Sequence, residues 1–357
     1  MIEGVSFLPD WVSPPGETIL DFLDEQGLSS YDLAQEIDST IENTQQLLRG
    51  EWPINADLAT KLTEIVGGSP AFWLTREEQF RAGLERLKKN EEWANNFPVK
   101  EMAELGWVPA VKKSYEKIAT CLRYFDVPSV ADWFQHYDGS QRLPAFRTSP
   151  TFCSDEGATL AWLRKGEIEA STIECKEWNQ DQFFGALSTI RELTRQKRPE
   201  IFIPELKRIC ANAGVALVIA PSPSGCKASG ATRLLSYQKA NIMMSGRYLS
   251  DDHFWFTFFH EAGHLILHKK FIENCEQDQG KQETEANQFS FDMLIPEKQQ
   301  AEFLKLPVNA RTVMRFARKI GISPGIVVGQ MQNHGHCPYN MLNKLKTRYT
   351  HDQLTSA

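Results

Sequence analysis

His260, Glu261, Ala262, Gly263 and His264 set two imidazoles four residues apart, with a carboxylate beside the first. In a helix, residues i and i+4 stack on one face, so both rings can address one ion. Zinc accepts neutral imidazole nitrogens, and a catalytic zinc takes three protein ligands and leaves one position for water. Glu261 is then placed to take a proton from that water and hand it to a leaving amine. A chance occurrence is the bland alternative. Against it, the surrounding run "FWFTFFHEAGHLILH", 254 to 268, is apolar enough to be buried, and its polar residues then need partners. The chemistry expected is metal-assisted hydrolysis, with one catalytic Zn2+ held by His260, His264 and a third ligand.

The third ligand should be an acid or a histidine on a nearby helix, and "KQETEANQFSFDMLIP" offers Glu283 and Glu285. At about 100° per residue, Ala286, Phe289, Ser290, Met293 and Leu294 share one face. Glu283 lies about 50° from the centre of that face and Glu285 about 110° away, which favours Glu283 and leaves Glu285 as runner-up. Asn287, one turn on from Glu283, is expected to orient its carboxylate. His268 stacks one turn beyond His264, and three successive turns of a helix rarely give three ligands. It is expected beside the site or at the surface. The extended HExxHxxGxxH pattern fails, since Leu267 and Lys270 occupy its later positions. "HGHC", with His334, His336 and Cys337, lacks a second half and reads as an ordinary loop.

The elements that must position these residues are mostly helical. Residues 15 to 90 read as short amphipathic helices, with Ser29 or Ser30, Thr40, Asn55 and Ser69 as N-caps and Gly27, Gly50 and Gly67 at helix ends. "KKNEEWANNFP", 88 to 98, is polar, ends in proline and reads as a linker. Residues 98 to 195 read as mainly helical. "AGVALVIAPSPSG" and "NIMMS" are the candidate strands. Helices follow around 253–269 and 282–294, and Ser323 and Pro324 suit the N-cap and N1 positions of another.

Composition is that of a soluble globular chain, with 24% charged and 41% hydrophobic residues in 357, room for two or three domains. No apolar run spans a membrane, and the N-terminus has no basic start or apolar core, so no membrane contact and a cytoplasmic location are expected. Seven scattered cysteines without a CxxC pair fit reduced thiols. A net charge of −7 argues against broad nucleic-acid affinity but leaves room for a local contact.

"FTFFHEAGHLILH" followed by "ETEANQFSFDMLIP" resembles the ImmA/IrrE family of zinc metallopeptidases, which are gluzincin-like. Glu283, Ala286, Asn287, Phe289, then Leu294, Ile295 and Pro296 fit the family pattern, with Ser290 where alanine is usual. The resemblance implies Glu283 as third ligand and Glu261 as base. It extends upstream through "AWLRKGE" and "CANAGVALVIAPSPSGCKASGATRLLS", covering roughly 98 to 340. Arg164, Glu167 and Arg233 read as structural ion pairs. The "NIMMS" strand is a candidate to lie along the cleft and pair with an extended substrate.

"SSYDLAQEIDSTIENTQQLLRGEWPINADLATKLTEIVGGSPAFWL" resembles a Cro/CI-type helix-turn-helix of the HigA antitoxin kind. Leu33, Ala34, Ile41 and Leu47 would be core, and Thr40, Asn43, Gln45, Gln46 and Arg49 would face DNA. Up to Gly50, however, Arg49 is the one basic residue among ten acidic ones, and phosphate contacts normally carry the affinity. A protein-docking or dimerisation role is the alternative for this region.

The expectation is thus an α+β, mostly α chain. A helix-turn-helix domain (1–90), a linker (91–97) and a helical lead-in (98–200) precede a gluzincin-like zinc peptidase core with a small sheet (201–340) and a tail (341–357). By resemblance, it is a zinc endopeptidase cutting a regulatory protein, such as a helix-turn-helix repressor or a toxin–antitoxin partner, to control stress, prophage or defence genes. Operator DNA and a homodimer are the further partners this allows. The competing reading is a HigA-like antitoxin or repressor whose peptidase-like domain serves binding or sensing.

Overall fold

Side-chain caps start the first helices. In the computed structural model, which describes residues 12–137, 155–268 and 279–355, α1 spans Pro15–Gln26, α2 Ser30–Glu36, α3 Ile41–Leu48, α4 Ala56–Ile65 and α5 Pro70–Asn95. Ser29 and Asp32 form a capping box on α2, Thr40 accepts from the Asn43 N–H on α3, and Asn55 accepts from the Leu58 N–H on α4. Each bond satisfies a donor that a helix start leaves open. Ile19, Leu23, Leu33, Leu47, Leu58, Leu62 and Trp73 form the core of these helices. Ile41 is not part of it: it is 41% exposed, and Thr44 is buried in its stead. Ile41 lies about 120° around the helix from Leu47, whereas Thr44 lies about 60° away. The Thr44 hydroxyl is satisfied by the Thr40 carbonyl at 3.0 Å.

The stretch read as a linker is largely helix. α5 continues to Asn95, with Trp93 and Ala94 buried. Lys89–Glu85 and Lys88–Glu92 pairs one turn apart support it. The helix stops shortly before Pro98, which has no N–H to offer. The chain divides into two compact units, Met1–Asn95 with Lys113–Ile118, and Asn96–Lys112 with Ala119–Ala357.

In the second unit, α6 (Val99–Glu104), α7 (Ser114–Phe125, from Ala119 on), α8 (Val130–Tyr137), α9 (Glu156–Thr172), α10 (Gln180–Leu193) and α11 (Pro199–Asn212) precede three strands. These are β1 (Val215–Ile219), β2 (Gly230–Ser236) and β3 (Lys239–Met244), in the order β1-β3-β2. β1 runs parallel to β3, with Leu217 opposite Ile242, and β2 runs antiparallel, with Thr232 opposite Ile242. β3, which holds "NIMM", is therefore central, its main-chain groups engaged on both sides. The edge strands are β1 and β2, and β2 was not identified as a strand from the sequence. Residues alternate between faces. Val215, Leu217, Ala240 and Ile242 join the main core, and Ala216, Val218 and Met243 pack with Ala158, Trp162 and Leu163 of α9.

Against the main-core face lies α12 (Asp251–Leu267), followed by α13 (Gln279–Leu294), α14 (Glu297–Phe303), α15 (Ala310–Ile320) and α16 (Pro324–Asn333). Ser323 caps α16 and Pro324 opens it. A 3-10 turn, Asn343–Leu345, and α17 (His351–Thr355) close the chain. In the stretch read as a tail, Tyr349 and Leu354 are buried in the main core. Lys346 pairs with Asp252 at 2.6 Å, and the Thr347 N–H donates to Asp251 at 3.0 Å. These polar residues fold inward because buried charges at the start of α12 require them as partners. The architecture is α+β and mostly helical, and among the described residues no helix is long and apolar enough to cross a membrane. Cys121, Cys175, Cys210, Cys226 and Cys337 are free thiols, and Cys153 and Cys275 fall outside the described residues.

Candidate metal centre

α12 and α13 pack closely enough to share a site because small residues meet between them. A Cβ on Gly263 would stand 3.1 Å from the Phe289 ring and 3.3 Å from the Ala286 Cα. Ser290, in the place of the expected alanine, is fully buried and donates its hydroxyl to the Phe256 carbonyl at 3.0 Å. That bond fixes the two helices against each other where Glu283 must reach across.

Three donor atoms then converge. His260 Nε2 and His264 Nε2 are 3.1 Å apart, and the Glu283 carboxylate oxygens lie 3.3 Å from the first and 3.4 Å from the second. Bonds of about 2.0–2.1 Å to a tetrahedral ion put neighbouring ligand atoms about 3.3 Å apart. The three side chains already hold their donors near that separation, Glu283 through a different oxygen toward each ring. Among the described residues this is the group of three His, Cys, Asp or Glu able to hold a metal ion.

The outer ring atoms are also engaged. His260 Nδ1 donates to Asn287 Oδ1 at 3.0 Å, which leaves the Nε2 lone pair aimed inward. Asn287 therefore orients His260 rather than the Glu283 carboxylate, because one turn along α13 brings it over the neighbouring ring. His264 Nδ1 lies 3.1 Å from His268 Nδ1, and His268 Nε2 lies 2.9 Å from Glu285 Oε2. Glu285 thus faces His268, outside the converging trio. His268 is buried against the site and is no surface histidine.

The charges follow these contacts. Burial pushes Glu283 up, but its bonds to His260 and His264 outweigh this and hold it well below the usual carboxylate range. Burial pushes His260 down, while its bond to Glu283 and the charges of Glu261 and Glu283 carry it above the ordinary imidazole value. For His268 burial prevails over Glu285, and its affinity for a proton falls below the ordinary value.

Glu261, beside His260, meets the edge strand β2. Its Oε2 accepts from the Thr232 hydroxyl at 2.8 Å. A Cβ on Gly230 would stand 2.5 Å from Glu261 Oε1, so only glycine leaves the carboxylate its place. Sequence reasoning missed both residues. The signal was there, since Gly230 and Thr232 stand two apart and share a face once β2 is seen as a strand. On the opposite face of β2, Arg233 pairs with Glu167, which Arg164 also meets at 3.0 Å. These are the structural ion pairs expected of the three residues.

The remaining candidates are engaged in other local contacts. Thr40, Asn43, Gln45 and Arg49 are exposed and Gln46 is half-buried. The Thr40 hydroxyl is used in its cap, and the Arg49 guanidinium is held by both Glu51 oxygens at 3.0 and 3.1 Å. His334 Nδ1 bonds the Gln330 carbonyl at 2.9 Å and its ring packs on Phe291, while Cys337 is buried.

Residues 211–329, about a third of the chain, match the peptidase family described as IrrE N-terminal-like domain. His260, Glu261, His264 and Glu283 fall within that stretch. No curated protein and no solved structure matches the chain.

Proposed function

We propose that this chain is a zinc-dependent endopeptidase that cleaves a regulatory protein, such as a helix-turn-helix repressor. The observation that carries the reading is the convergence of His260, His264 and Glu283 at metal-ligand spacing, beside a carboxylate oriented by Thr232. The match over residues 211–329 supports a peptidase in particular. Bound by those three residues, zinc would supply Lewis-acid activation of water and of the scissile carbonyl. Glu261 takes the proton from the attacking water and delivers it to the leaving amine nitrogen. β2 offers an edge for an extended substrate, which would add to the sheet as a further strand. Gly230 and Thr232 keep the base fixed while this occurs.

The five N-terminal helices act here as the element that selects the partner, with Thr40, Asn43, Gln45 and Gln46 on the surface offered. With Arg49 tied to Glu51, docking to a protein suits this unit better than phosphate contacts do. Operator binding and homodimerisation are the alternatives that a promoter-binding assay at stated salt and a sedimentation experiment would separate.

The deciding test is Glu261→Gln. Host transcription regulators are co-expressed with the wild type or the variant, and their fragments are read by mass spectrometry. Both proteins should carry zinc, and a fragment should form with the wild type alone. Equal cleavage or equal derepression by a zinc-loaded Glu261→Gln protein overturns the peptidase reading.

A further inference from the structure

We propose that His268 and Glu285 are positioning residues of the metal centre, which together hold the His264 proton on Nδ1 and aim its Nε2 at the ion. The inference rests on the metal-site reading above and assigns two residues outside the ligand set. It follows from the order of donors along one chain of contacts. Glu285 Oε2 lies 2.9 Å from His268 Nε2, and an ionised carboxylate only accepts, so His268 donates from Nε2. A neutral imidazole has one donor and one acceptor nitrogen, so His268 Nδ1 is left to accept. His264 Nδ1, 3.1 Å away, must then be the donor. Its Nε2 keeps a lone pair, and that is the atom lying among His260 Nε2 and Glu283 Oε1.

The backbone builds this arrangement. α12 ends at Leu267, yet the His268 N–H still bonds to the His264 carbonyl at 3.0 Å. The His268 ring is thereby kept over the last turn, buried, with its far nitrogen turned to α13. Glu285 stands two residues from Glu283, so the same helix supplies one carboxylate to the ion and another to the relay. A free neutral imidazole in water prefers its proton on Nε2, which would block the metal-binding nitrogen. The Glu285–His268 pair reverses that preference before any ion arrives. His260 obtains the same result in one step from Asn287. Carboxylate and carbonyl partners of ligating histidines act in this manner, and their loss typically weakens metal binding about 10- to 100-fold.

The test uses the full chain and measures zinc affinity by chelator competition in the wild type, His268→Ala, His268→Gln, Glu285→Ala and the His268→Ala/Glu285→Ala double variant. His268→Ala should weaken zinc binding about 10- to 100-fold. His268→Gln, whose carbonyl can still accept from His264 Nδ1, should recover part of it. Glu285→Ala should weaken binding alone but add nothing in the His268→Ala background, because it acts through His268. Imidazole 15N spectra of the zinc-free proteins give a second readout: the His264 proton should sit on Nδ1 in the wild type and move to Nε2 in His268→Ala. An equal effect of Glu285→Ala with and without His268 would mean a bare charge effect and overturn the relay. So would a His264 proton on Nε2 in the wild type, or unchanged zinc affinity in His268→Ala. A wild type that takes up no zinc would overturn the metal-site reading and the relay with it.

Discussion

Asp251→Asn should stabilise the protein at neutral pH, and the gain should vanish in acid. Asp251 opens α12 and is 1% exposed. Its Oδ1 accepts the N–H groups of Asp252 and Thr347, each at 3.0 Å, and its Oδ2 meets the Ser323 hydroxyl. Burial pushes its carboxyl up from 3.8 to about 6, with Asp252 adding and the hydrogen bonds opposing. The fold therefore favours the neutral acid. This contribution is fully present below the unfolded value of 3.8 and is lost as pH rises through about 6. A rise of roughly two units corresponds to about 3 kcal/mol. Asparagine keeps the shape and both acceptor contacts, turns its amide toward the Ser323 oxygen, and cannot ionise. Urea unfolding followed by tryptophan fluorescence, with Trp255 buried on the same helix, should show the two stabilities converging below the unfolded value of 3.8. The variant should then gain up to about 3 kcal/mol by pH 8. A difference between the two proteins that does not change with pH would refute the reasoning.

Two further outcomes follow from contacts around the site. Thr232→Val removes the hydroxyl that holds Glu261 and should lower kcat about 10- to 100-fold with zinc content unchanged; metal analysis beside single-turnover rates checks it, and an unaltered rate would leave Thr232 without a role. Arg191→Met should cost about 3 kcal/mol, since Arg191 Nη2 donates to the last carbonyls of α13 and α15, at Leu294 (3.1 Å) and Ile320 (2.7 Å). Thermal denaturation measures this, and an unchanged Tm would mean that water replaces both bonds.

The local rules of helices were the most legible part of the sequence. The caps Ser29, Thr40 and Asn55 and the start of α16 follow from side chains that bond their own backbone. His260, His264 and Glu283 were legible for a related reason, since helical spacing fixes which side chains share a face. What failed depends on contacts between distant segments. β2 has no strong alternation of its own, and its edge position is set by pairing with β3. Asn287 was assigned to Glu283 because one-turn spacing says what is near along α13, but says nothing of the ring arriving from α12. The ordering of residues 341–355 was hidden because its reason, the buried carboxylates of Asp251 and Asp252, lies about ninety residues upstream.

The most direct test of the metal centre is zinc X-ray absorption on the purified chain, with metal content measured in Glu283→Gln and Glu285→Gln. One zinc per chain is expected, with two imidazole nitrogens and oxygen completing the shell at about 2.0–2.1 Å. Zinc should be lost on changing Glu283 and retained, more weakly held, on changing Glu285. A sulfur ligand at about 2.3 Å, or zinc that survives in Glu283→Gln and is lost in Glu285→Gln, would overturn the assignment of the ligands.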